Sequence, residues 1–275
     1  MTIRIRNRLF LILFVVGLAF FAITLTLFAY GAFNGLLKIP GDPYRAGNFL
    51  PFSFEAALSS ILYLGFAGPA LAFFIYRSFE KTSSLEILFF SGVIISCIAE
   101  QSRILIAVLD LWHSSSKLLV TLGRISVTGK ILAPLSLLFG SLFSSSEQLE
   151  NAERNLFFLF ATSCAFGFFY PINSCEIGSN CSVLYGMKSL FAVIRILILM
   201  TAIITTFINS YTPGARFRDN RHVYGKCLGI VIFSGGLLVL FMCDSIVALA
   251  VGISLFTTGI VMYLKTMHYM ANNWS

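Results

Sequence analysis

The chain alternates long apolar runs with short polar stretches, and the run at 83–113, SSLEILFFSGVIISCIAEQSRILIAVLDLWH, organises the rest. It exceeds the roughly 20 residues needed to cross a bilayer, yet it carries Glu86, Glu100, Arg103 and Asp110. At about 100° per residue with Glu100 at zero, Glu86 falls near 40°, Arg103 near 300°, Asp110 near 280° and Ser96 near 320°. One face is therefore polar along the whole length. Ionisable groups in a membrane are costly and point into a bundle interior or a wet cavity, so the other helices are expected to pack around this one.

The remaining runs predict helices near 9–37, 55–77, 118–143, 155–171, 182–210, 227–243 and 246–264, beside the central one at 84–112. The run 227–264 is too long for one crossing, and Asp244-Ser245 splits it into a hairpin. The fold class is thus all-α, a polytopic helical bundle of eight spans in one membrane domain, 1–275. A seven-helix count with one broken final helix is the alternative. Gly68-Pro69 and Pro134 predict bends in the second and fourth helices. Gly31 and Gly35 form a GxxxG pair, and Gly235-Gly236 reads as a helix-packing feature. Pro40, Pro43 and Pro51 mark an ordered loop outside the membrane.

Placing the N-terminus inside puts Arg4, Arg6, Arg8, Arg77, Lys81, Arg154, Arg216, Arg218, Arg221, Lys226 and Lys265 on the inner side. Only Lys38, Arg45 and Lys117 fall outside. The bias follows the positive-inside rule, puts both termini in the cytoplasm and requires the fourth run to span despite Arg124 and Lys130. A multi-pass plasma (inner) membrane location is expected. The opening apolar run is longer than the 7–15 residues of a cleavable signal, so it is read as a retained span.

Composition agrees. The chain is 57 % hydrophobic and 11 % charged, where soluble domains carry about 25 % charged residues. The net charge of +7 sits in loops on one side, which excludes a nucleic-acid reader. The basic loop around Arg216, Arg218, Arg221 and Lys226 is instead a candidate surface for a protein partner, beside the bilayer itself.

Candidate chemistry is confined to the spans. Arg103, Arg124, Lys130, Lys188 and Arg195 remain inside predicted helices with Glu100 and Asp110. Lys188 and Arg195 lie only about 20° off one line, and Thr206 and Asn209 extend the stripe. Depth along the spans pairs Glu100 with Arg195 and Asp110 with Lys188, leaving cations in excess. Such a cavity would favour a carboxylate, a phosphate or a lipid headgroup; ion pairs that only specify packing are the competing reading. Cys175 and Cys181 share one loop and form the candidate disulfide. The histidines at 113, 222 and 268 make no metal or haem set, and no serine elbow, HExxH or paired-aspartate signature occurs. No metal or cofactor is expected. The leading expectation is a transporter or a membrane subunit of a transport or export complex. A sensory or scaffold module acting through a partner chain comes second. A membrane enzyme on a lipid-linked substrate, with Glu100 or Asp110 as acid or base, comes third.

Overall fold

The computed structural model describes residues 3–37, 50–80, 84–111, 117–143, 152–211 and 220–272, with backbone only at 174–177, 210–211, 220–223 and 271–272. Its helices are α1 (Ile3–Phe33), α2 (Phe54–Ser78), α3 (Leu85–Glu100), α4 (Ile104–Val108), α5 (Lys117–Leu142), α6 (Ala152–Phe169), α7 (Lys188–Tyr211), α8 (Asn220–Phe241) and α9 (Ile246–Asn272). A single 3₁₀ turn, Gln101–Arg103, fuses α3 and α4 into one rod, Leu85–Val108. Seven of these segments are long and apolar enough to cross a membrane. The fold is that of a multi-pass helical membrane protein. The helix α6 falls short of the other seven because Glu153, Arg154 and Asn155 fill its first turn.

The rod is the centre of the bundle. Its most apolar window is 78 % buried, against 17 % for α1 and 28 % for α7 and α9. Small residues let α5 come close: Ser96 Oγ donates to Gly129 O at 2.6 Å, and a Cβ on Gly129 would press on Ala99. The helix α2 meets the rod through a more specific device. Pro69 has no N–H, so the carbonyl four residues earlier, Gly65 O, loses its helical donor. Gln101 Nε2 supplies one at 3.3 Å, while Thr24 Oγ1 of α1 donates to Gln101 Oε1 at 2.8 Å. Gly65 must lack a side chain here, because a Cβ would overlap the Gln101 side chain.

The split expected at Asp244-Ser245 is a helix break. Ser245 caps α9, its Oγ accepting from Ala248 N at 3.2 Å. The two helices then zip antiparallel, with Gly229 and Gly236 of α8 against Tyr263 and Phe256, and Gly259 and Gly252 of α9 against Phe233 and Leu240. Each glycine faces a large residue at heptad spacing, so the backbones come closer than any Cβ would permit. Gly236 thus packs helices as expected; Gly235 has open space at its Cβ.

Three local expectations need correction. Gly35 is not half of a packing motif: it ends α1 in the left-handed region at φ 65°, with Leu36 N donating to Gly31 O at 2.8 Å and Gly35 N to Ala32 O at 3.3 Å. That is a Schellman stop, which favours glycine. Residues 182–187 are not the start of a helix. β1 (Ile172–Ile177) and β2 (Val183–Tyr185) pair antiparallel around a turn at 178–182, so the described residues are all-α with one small hairpin. Cys181 is a free, buried thiol, so the Cys175–Cys181 disulfide is not formed; the Cys175 side chain lies outside the described residues.

Candidate functional site

The rod, α5, α7 and the hairpin converge on a cluster of buried charge. Glu100, Arg103, Lys130 and Arg195 are 0, 1, 2 and 2 % exposed. Glu100 does not pair directly with Arg195. Its Oε2 accepts from Arg103 Nη1 at 2.7 Å, because the 3₁₀ turn brings side chains three apart into line. The second oxygen, Oε1, accepts from Ser126 Oγ of α5 at 3.3 Å.

Arg195, one helix away, lies with its guanidinium 5.2 Å from the Phe191 ring centre and donates weakly to Met242 Sδ at 3.8 Å. Lys130 reaches the hairpin, donating to Tyr185 Oη at 3.1 Å. Arg103 Nη2 donates to the Asn180 carbonyl, also on the hairpin. Burial, and then the Glu100 carboxylate, push the Tyr185 phenol above its ordinary range. The oxygen that Lys130 meets is therefore uncharged.

Three cations thus surround one carboxylate. Among the described residues, Arg103 Nε, Arg195 Nε and Ser102 Oγ are buried and make no hydrogen bond. A buried donor without a partner costs about 1–3 kcal/mol, and more where it is charged. Among the described residues the cluster thus holds three cations and one carboxylate, with two guanidinium Nε atoms making no hydrogen bond.

The hairpin tip seals this end of the bundle. Ser179 Oγ donates to Asp244 Oδ2 at 2.8 Å, Asn180 Nδ2 donates to Phe241 O at 3.2 Å, and Ser53 N donates to Asp244 O at 2.9 Å. Cys181 takes φ 57° at the turn and packs against Ile104, Ala107 and Leu58. Burial pushes its thiol up to about 12.

The other sequence candidates lie apart. Asp110 is exposed at the end of the rod, with φ 49°. Lys188 is half-buried at the first position of α7. Arg124 stacks 4.3 Å from the centre of the Phe168 ring, between α5 and α6. Lys226 is no loop cation but pairs with Glu86 across α3 and α8; Arg216, Arg218 and the Arg221 side chain lie outside the described residues. Tyr185, Asn180 and Ser126 went unrecognised in the sequence. The signal that could have found the first two is the turn-forming Gly178-Ser179-Asn180 between β-branched and aromatic residues.

No group of His, Cys, Asp and Glu able to hold a metal ion occurs among the described residues. Comparison with protein-family models, curated proteins and solved structures finds no match for this chain.

Proposed function

We propose that the protein is a transporter, or the membrane subunit of a transport complex, for an anionic solute or an anionic lipid headgroup. The buried cluster around Glu100 is its binding site. One observation carries the reading: of three buried cations in the cluster only Arg103 bonds a carboxylate, and two guanidinium nitrogens are unsatisfied. Excess charge inside a bilayer is so costly that such residues mark substrate or ion pathways. An enzymatic reading has less support, since Asp110 stands outside the cluster and Glu100 is held by Arg103 and Ser126.

In this reading α6 is the eighth span and both termini face the cytoplasm of a cell whose plasma membrane holds the protein. The hairpin, the α8–α9 break and residues 50–53 then face outward. In that orientation the hairpin covers the cluster on the outer side. Uptake of labelled carboxylates, phosphate and sulfate into proteoliposomes tests the proposal. Uptake of at least one anion, lost in a folded Arg195→Gln protein, is expected. No anion accumulating above protein-free vesicles, with no anion raising the melting temperature, would refute it.

A further inference from the structure

The proposed anion site leaves open which anion enters and what holds the site shut, and the same side chains bear on both. Among the described residues, the only carboxylate hydrogen-bonded to any of these cations is Glu100, on Arg103. The cluster therefore carries two uncompensated positive charges when Arg103, Lys130 and Arg195 are protonated. Two of those cations spend donors on neutral oxygens, and both oxygens belong to one short hairpin: Asn180 O on Arg103 and Tyr185 Oη on Lys130. An ionised acceptor adds the attraction between opposite charges, which these neutral oxygens lack.

The hairpin is anchored by buried Cys181 and Val183, yet its backbone is irregular. It has two short strands with a register irregularity between Asn173 and Ile177, and a non-glycine residue, Cys181, in the left-handed region. Its tip is otherwise tied to α8 and the α8–α9 break by Ser179 and Asn180.

We propose that the 172–185 hairpin is a displaceable plug whose two neutral oxygens stand where a doubly charged oxyanion of the phosphate or sulfate class binds. The inference rests on reading the cluster as an anion site. A dianion balances the charge of the cluster, which a halide or acetate does not. Its oxygens take Arg103 Nη2 and Lys130 Nζ from the hairpin, and Arg195 supplies the third side of the cradle. Losing both contacts loosens the hairpin against the remaining ties of Ser179 and Asn180, so ligand entry and opening of the cap are coupled. The dianion is either a free ion or the phosphomonoester headgroup of a lipid.

The test is hydrogen–deuterium exchange of peptides covering 178–186 in the unmodified protein, held in phosphatidylcholine nanodiscs. The amides of Gly178, Cys181 and Gly186 are hydrogen-bonded within the hairpin region, to Ser182 O, Gly178 O and Pro171 O, so their exchange reports its opening. Phosphate, sulfate, acetate and chloride are compared at equal ionic strength, and a second set of discs contains phosphatidic acid. Phosphate or sulfate is expected to speed exchange on the order of tenfold, acetate and chloride to leave it unchanged, and Lys130→Met to remove the effect. Acceleration by phosphatidic acid but not by inorganic phosphate supports the same chemistry with the lipid as its source. Tyr185→Phe keeps every charge and removes one plug contact, so it should raise the basal exchange rate. Were phosphate to raise the melting temperature in a Lys130-dependent way while exchange stayed constant or slowed, the plug would be refuted and the anion site kept. If neither melting nor exchange responds to any dianion, both fall.

Discussion

Glu86 and Glu100 are buried on the same helix, one near each end, and the protein compensates them in different ways. Glu86 is met by one cation from another helix, Lys226 of α8. That arrangement is neutral, and it ties α3 to the hairpin of α8 and α9. Glu100 is met by a cation from its own rod, and two more arrive from α5 and α7. A neutral pair between distant segments specifies how helices dock. A carboxylate outnumbered three to one does not, because each added cation raises the cost of closing the bundle unless something anionic joins it.

The sharpest way to break this contrast is Glu100→Gln, which leaves three buried cations with no carboxylate. Removing one partner of a buried pair costs about 3–5 kcal/mol, so thermal unfolding in detergent should show the largest loss here. Glu86→Gln should cost less, about 1–3 kcal/mol, because Lys226 keeps 14 % side-chain exposure and can swing toward water. Melting curves of the two variants side by side give the order, and equal losses would erase the distinction. The double changes sharpen it further. Glu86→Leu with Lys226→Met should be close to neutral, as buried pairs replaced by apolar residues often are. Glu100→Leu with Arg103→Leu should remain destabilised, since Lys130 and Arg195 stay buried with the cluster's carboxylate gone. Tyr185→Phe, which strips the buried Lys130 ammonium of its hydrogen-bond acceptor, should cost about 1–3 kcal/mol, readable as a shift in melting temperature.

Most helices were legible because the apolar runs and the turn residues between them agree. Asp244-Ser245 could be recognised as a break since a 38-residue apolar run, 227–264, cannot cross once. Of the seven charged residues singled out in the sequence, Glu100, Arg103, Lys130 and Arg195 come together, while Asp110, Arg124 and Lys188 lie apart. What the periodicity could not supply was partner choice. A uniform 100° per residue spaces Glu100 and Arg103 about 60° apart, whereas the 3₁₀ turn at 101–103 brings them into line. The hairpin was also hidden, because its strands are too short to show a period of two. Its Asn180 and Tyr185 act through tertiary contacts that no local pattern records. Gly35 misled for a related reason: the GxxxG spacing is the same whether the second glycine packs a helix or ends one.

The tip of the hairpin has a consequence in time as well as in space. Ser179 is fastened to Asp244, 65 positions further along the chain, and Asn180 to Phe241, 61 positions further along. At about 5–20 residues per second, a ribosome needs roughly 3–13 s to make the fasteners after making the tip. Through that interval the hairpin tip has nothing to clip onto, and the last two helices, matched glycine to large residue, close the latch.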